Sequence, residues 1–139
     1  MSDTIPSEFT PIQRKSPFTD LIGPIYSRHY ENKLVLGIRG EDKHCNGRGF
    51  IHGGILSTLA DIAMGYNCAI ASAQSKGMVT SQLAIDFVSS AKAGDWIEVK
   101  VDVQKVGRTL AFANCYFWVE NKRIARASAV FCSPSPSSP

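Results

Sequence analysis

The sequence predicts an α+β domain in which one long central helix is wrapped by a curved antiparallel sheet of about six strands. Three observations carry that expectation. From Gly49 to Ser75, twenty-seven consecutive residues contain a single formal charge, Asp61. Within that stretch Ile55, Leu59, Ile62, Tyr66 and Ala69 recur at spacings of three and four, the period of a helix with one apolar face. Beyond it the chain runs as segments that alternate between apolar and polar residues, the period of strands packed on one side. A lone apolar helix needs cover, and one curved sheet supplies it.

The elements follow in chain order. Residues 1–16 are polar and contain proline, and are expected as a loosely attached arm; the domain proper is expected over 17–132. Ile25–Tyr30 and Lys33–Arg39 read as strands joined by a tight turn at Glu31-Asn32. Gly40–Gly49 is a polar loop of the kind that shapes a site. The helix is expected from Gly53 to about Ala73. Val79–Val88 then alternates through Val79, Ser81, Leu83, Ile85 and Phe87. Trp96–Val106 sets Trp96, Glu98, Lys100, Asp102 and Gln104 against Ile97, Val99, Val101 and Val103. Thr109–Glu120 and Arg123–Cys132 follow, with turns at Gly94-Asp95, Val106-Gly107-Arg108 and Asn121-Lys122. The four strands after the helix are expected to form an antiparallel meander. The tail 133–139, made of Ser and Pro alone, cannot build a sheet ladder and is expected to be disordered.

Composition excludes several classes. A chain of 139 residues suits one domain, and 44% hydrophobic residues is too many for general disorder. Fifteen Lys and Arg against twelve Asp and Glu leave a net charge of +3 with no basic stripe, so no nucleic-acid partner is expected. The long apolar stretch is long enough to span a bilayer. Asp61 at its centre, amid Gly, Ser, Thr and Asn and without flanking Lys or Arg clusters, argues for a buried helix and against a membrane. No signal peptide is evident. Cys45, Cys68, Cys115 and Cys132 lie at wide, irregular spacings without a C-x-x-C pair, so a cytoplasmic protein with free thiols is expected.

The chemistry concentrates in Asn46-Gly47-Arg48-Gly49-Phe50-Ile51-His52-Gly53-Gly54 and the helix it enters. Amide N–H groups at a helix start have no partner within the helix and carry the positive end of its dipole. At Gly53-Gly54 they are reachable and could stabilise a developing oxyanion; the same pair would equally serve a tight loop-to-helix turn. Asp61 shares a helix face with Ser57, Thr58, Met64, Gly65 and Cys68, mostly small residues that leave room for a ligand. The plainer alternative is a carboxylate hydrogen-bonded to a neighbouring hydroxyl for packing. Gly53 and Asp61 stand about 12 Å apart along one helix, too far to flank one carbonyl carbon. If both act on it, they come from two chains, and two antiparallel helices about a twofold axis would bring them together. The active-site reading therefore predicts a homodimer.

Asn46 six residues before His52-Gly53-Gly54, with Asp61 nine residues after His52, resembles the hotdog-fold acyl-CoA thioesterases, in particular the phenylacetic-acid-degradation (PaaI-like), or thioesterase superfamily 2, branch. The similarity extends over roughly residues 20–132. It includes Thr80 at the start of the next strand, the stretch from Phe87 to Ala91, and the turn Lys105-Val106-Gly107-Arg108-Thr109-Leu110. The resemblance implies dimers that can pair into tetramers, with active sites at the dimer interface. It implies Asp61 as general base or nucleophile, the Gly53 amide polarising the thioester carbonyl, and Asn46 and His52 positioning that group or the water. Thr80 would steady the water or the carboxylate. Gly54 and Phe87 would meet substrate, and Lys105, Gly107, Arg108, Thr109 and Leu110 would contact coenzyme A. The implied reaction hydrolyses an acyl-CoA to the free acid and coenzyme A with no metal or redox cofactor. Thiolate leaves readily, and a carboxylate in apolar surroundings can take a proton from water; attack by Asp61 itself, through an anhydride, is the other route.

Other readings are weaker. His44, Cys45, His52 and Asp61 are metal-ligand types at a spacing that fits no usual zinc pattern. Cys68 lacks a partnered His for nucleophilic work. Asp86 reads as a surface or interface residue, and Trp96 and Trp118 as packing residues. The rival functions are a non-catalytic acyl-CoA-binding protein of the same fold and a hotdog dehydratase, whose local motifs are not found.

Overall fold

The computed structural model describes residues 4–72 and 77–133. Strand β1 (Thr10–Pro11) leads to a short helix α1 (Pro17–Ile22), then to the hairpin β2 (Tyr26–Tyr30) and β3 (Lys33–Arg39). A single 3-10 turn, Asp42–His44, precedes α2 (Gly53–Ser72), which is followed by β4 (Val79–Phe87), β5 (Trp96–Val106), β6 (Leu110–Val119) and β7 (Lys122–Cys132). The β2–β3 turn falls at Glu31-Asn32 as expected, with Glu31 at φ 53°. The expected end of the helix at Ala73 and the tail beyond Ser133 lie outside the described residues.

All seven strands join one antiparallel sheet in the order β1-β2-β3-β5-β6-β7-β4. This corrects the expected four-strand meander. Only β5, β6 and β7 are a meander; β4 pairs with β7 at the far edge. The reason is the helix: α2 carries the chain across the concave face, so β4 lands opposite β3, and β5 returns to close against β3.

The sheet wraps α2, and the buried stripe of the helix is Leu56, Leu59, Ala60, Ala63, Met64, Asn67 and Cys68. This corrects the expected stripe. Ile55, Ile62, Tyr66 and Ala69 are only half-buried; Ile55 faces α1, and Tyr66 and Ala69 face β2 and the N-terminal arm. Met64 and Cys68, expected on the open small-residue face, are fully buried. Small residues allow close approach of helix to sheet: a Cβ added at Gly65 would stand 3.3 Å from the Phe131 ring. The helix is long and apolar enough to cross a membrane by length and composition, yet here its apolar stripe is spent on the core.

The arm also differs from expectation. Phe9 and Ile12 are buried, Pro11 pairs with Tyr26, and Phe9 meets Trp96 edge-on with ring centroids 5.1 Å apart. Residues 9–12 are therefore docked, because two apolar side chains gain more by burial than the short strand costs in ordering.

Asn67 supplies a hydrogen-bonding patch. The β3–β5 ladder stops at Leu36↔Val99. Where β3 leaves it, the Leu34 N–H donates to Asn67 Oδ1 (3.0 Å), and Asn67 Nδ2 donates to the Leu34 carbonyl (2.9 Å) and the Ala63 carbonyl (2.8 Å). A helix side chain thus stands in for the missing strand, satisfying buried main-chain groups that would otherwise be costly.

Candidate active site

The residues singled out from sequence fall into two groups at opposite ends of the α2–β4 layer. The first is built on the loop before α2. Asn46 folds its own turn: its Oδ1 accepts the Arg48 N–H (2.9 Å) and the Phe50 N–H (3.1 Å). The Asn46 N–H donates to the Phe50 carbonyl at 2.8 Å. That turn commits the side-chain oxygen, and the amide NH2 has no partner among the described residues. The loop is pinned on both sides, with the Ile51 N–H on the Ala91 carbonyl and the His52 N–H on the His44 carbonyl, each at 2.8 Å.

His52 caps the helix. Its Nδ1 accepts the Gly54 N–H at 2.8 Å, which fixes the proton on Nε2, and its carbonyl accepts the Ile55 N–H at 3.2 Å. The two glycine amides are therefore not equivalent. Gly54's is consumed by the cap, while Gly53's has no partner among the described residues and stays bare at the positive end of the helix. The expectation of two bare amides narrows to one. A Cβ at Gly53 would stand 2.8 Å from Cζ of Phe87, so that ring, 52% exposed, covers the glycine.

The second group lies two turns further along the helix. Thr80 Oγ1 donates to Asp61 Oδ1 at 2.5 Å. Asp61 is half-buried, and no cation pairs with it among the described residues. Thr80 reaches it because of a bulge that the sequence did not announce. Val79↔Cys132 and Thr80↔Phe131 are followed by Gln82↔Val130, leaving Ser81 as an extra residue. Thr80, Leu83, Ile85 and Phe87 thus oppose Phe131, Ala129, Ala127 and Ala125, all buried against the helix. Were Ser81 paired in register with no bulge, it would take the place opposite Phe131 and the period of two would turn Thr80 to the outer face.

The turn between β5 and β6 belongs to this second group, since Val79 and Leu110 both neighbour Cys132. The Gly107 N–H donates to the Leu110 carbonyl at 2.7 Å, and the Thr109 carbonyl accepts the Ser133 N–H at 2.9 Å. Lys105 and Arg108 are exposed and unpaired among the described residues.

Other candidates resolve physically. His44 is buried and committed on both nitrogens, accepting the Glu41 N–H at 3.0 Å and donating to the Ile22 carbonyl; it ties α1 to the loop. No three His, Cys, Asp or Glu side chains converge as metal ligands among the described residues. Cys68 is fully buried, and burial pushes its thiol up to about 11, the opposite of an activated nucleophile. Asp86 is exposed and pairs with Arg126 at 3.1 Å. A groove of about 560 Å³ opens from His52 and Gly54 toward α1, walled by Phe18, Leu21, Ile22 and Ile55.

Residues 48–125 match the family model of the thioesterase superfamily. A Pseudomonas aeruginosa protein that bears the name of an esterase is 42% identical over 131 residues, covering 94% of this chain and 98% of its own length. Acyl-coenzyme A thioesterase 13 of Mus musculus is 34% identical over 84 residues, 59% of this chain and 58% of the mouse protein. The crystal structure of zebrafish thioesterase superfamily member 2 superposes with a TM-score of 0.75 at 27% identity, covering 84% of this chain and 87% of that one.

Proposed function

The chain belongs to the thioesterase superfamily and is a thioester hydrolase, and from that premise we propose that it cleaves acyl-coenzyme A to the free acid and coenzyme A at a site shared by two copies. The observation that carries the reading is the division of the polar groups into two halves about 12 Å apart along α2, beside an edge strand whose outer side is open. Strand β4 presents nine residues without Lys, Arg or Pro, and its bulge at Ser81 lies near its start, so the edge from Gln82 to Phe87 is open to pairing. Val79, Phe87 and Val88 on and beside it are more than half exposed. Antiparallel pairing of β4 with β4 of a second copy sets the Asp61 half of one chain against the Gly53 half of the other.

In that arrangement the thioester oxygen meets the bare Gly53 N–H and the free Asn46 NH2. His52 acts on the geometry by locking the helix start, and Thr80 holds Asp61 by its Oδ1. A water on Asp61 attacks the carbonyl carbon while its proton passes to the carboxylate. The oxyanion collapses, the C–S bond breaks, and the departing thiolate takes the proton, so the carboxylate is regenerated. The reaction calls for no metal or redox cofactor. Phe87 and Gly54 border the acyl group, which extends into the groove under Phe18 and Leu21. Lys105 and Arg108, with Gly107, Thr109 and Leu110 shaping their turn, meet the coenzyme A phosphates.

The test is thiol release from a panel of aryl- and alkyl-CoA substrates. Turnover of at least one substrate is expected, with Asp61→Ala abolishing it while the circular dichroism stays native. Wild-type turnover by Asp61→Ala, or by a protein that sediments as a monomer, would overturn the mechanism.

A further inference from the structure

On the opposite flank of α2 a second cavity remains unexplained by hydrolysis. It measures about 320 Å³ and lies between the N-terminal arm, the β2–β3 hairpin and the C-terminal half of the helix. That size is at the lower end of small-molecule sites. Tyr66, on its wall, follows Asp61 by five residues and so points about 140° away round the helix. The cavity is distinct from the Asp61 side.

Its lining has two characters. Ile12, Leu34 and Ile70 form an apolar wall. Ser27, Arg14, His29 and Tyr66 supply polar groups, and no Asp or Glu is among the lining residues. Ser27 is only 6% exposed, and its hydroxyl has no hydrogen-bond partner among the described residues. The hydroxyl opens onto the cavity rather than being sealed in the core, so it can donate to a ligand there. Arg14 sits 5.9 Å over the Tyr66 ring and forms no ion pair among the described residues. That stacking holds its guanidinium at the rim without neutralising it.

We propose that this cavity is a second ligand site, for a monocarboxylate with an apolar body the size of octanoate or phenylacetate. The carboxylate meets Arg14 and His29 at the mouth and accepts a hydrogen bond from the Ser27 hydroxyl. The hydrocarbon lies against Ile12, Leu34 and Ile70. The unpaired cation at the rim selects an anion, and the apolar wall rejects inorganic ones. This inference does not depend on the hydrolytic reading, because none of its residues belongs to either half of that site.

The experiment titrates octanoate, and octanol as its uncharged counterpart, into the full-length protein by calorimetry. Methyl NMR of Ile12, Leu34 and Ile70 reports the location. Saturable octanoate binding at one site per chain is expected, with octanol weaker by about tenfold or more. Arg14→Gln is expected to weaken octanoate by about tenfold, and Ser27→Ala by less. Ile70→Trp, at an exposed position, is expected to abolish binding by filling the cavity. Asp61→Asn is expected to leave it unchanged. Loss of binding in Asp61→Asn would assign the acid to the hydrolytic site and overturn the proposal. So would equal binding of octanol, indifference to Arg14→Gln, or shifts confined to residues outside the cavity.

Discussion

At the Gly53 end of α2 the polar groups are set by main-chain hydrogen bonds. Asn46 closes its own turn, His52 caps Gly54, and Ile51 is pinned to Ala91. At the Asp61 end the arrangement rests on one bond between side chains, Thr80 to Asp61, and on one extra residue, Ser81, that turns Thr80 inward. The first end is a preorganised donor: its dipoles are fixed before any ligand arrives, which is what stabilisation of a developing charge requires. The second is a carboxylate held by a single side-chain hydrogen bond, which in the proposed reaction needs orientation more than rigidity. The two ends therefore fail differently when altered.

The largest effect should come from breaking the two ends in separate chains. Asp61→Asn and Gly53→Val are each expected to lower kcat/KM by about 10²-fold or more, the valine because its side chain must displace the Phe87 ring. Mixed and allowed to exchange subunits, the two variants are expected to regain about a quarter of wild-type activity, since half the dimers then contain one intact site. No recovery in a mixture shown by mass to have exchanged would break the shared-site comparison.

Next comes the bulge. Thr80→Val should cost about tenfold in kcat with little change in KM, the size of one hydrogen bond to a charged group. Deleting Ser81 removes the bulge but leaves Thr80 opposite Phe131 and facing inward, so it is expected to keep the turnover that Thr80→Val loses. A Ser81 deletion that loses as much as Thr80→Val would show that the bulge itself, beyond Thr80's direction, positions Asp61.

The glycine end gives a smaller effect, on stability. His52→Ala is expected to cost about 1 kcal/mol in urea unfolding through loss of the cap, and His52→Asn to restore most of it, since Asn caps well. Equal stability of the two variants would remove the cap from the account. The smallest effect belongs to Cys68. With its thiol raised to about 11 by burial, little thiolate exists at about pH 8. Its peptide is expected to stay unlabelled by iodoacetamide in the native protein, and Cys68→Ala to keep its turnover. Rapid labelling would mean that the buried face of α2 opens.

Much of this was legible from residue types. The run with one charge marked α2, alternation marked β2 to β7, and the spacing of Gly53 and Asp61 already required two chains if both touch one carbon. These follow from local periodicity and from the fixed rise of a helix, which no tertiary contact alters. The 3.6-residue period was read one step off: Ile55, Ile62 and Tyr66 carry more apolar area than Ala60 and Ala63, but a sheet wrapped close around a helix selects small residues for its innermost stripe.

What the sequence could not determine is wherever distant segments decide a direction. The place of β4 depends on which edge the crossover reaches, and its first residues gave no sign that Ser81 is surplus, because a bulge exists only relative to a partner strand. The inequality of Gly53 and Gly54 arises from the orientation of one imidazole. Asn67's role needs β3 and β5 to part at Leu36. The sequence by itself determined one apolar helix, its sheet and a lone carboxylate two turns from a glycine start; only the tertiary structure decided which amide is bare and which way Thr80 faces, since both depend on hydrogen-bond partners that local periodicity does not specify.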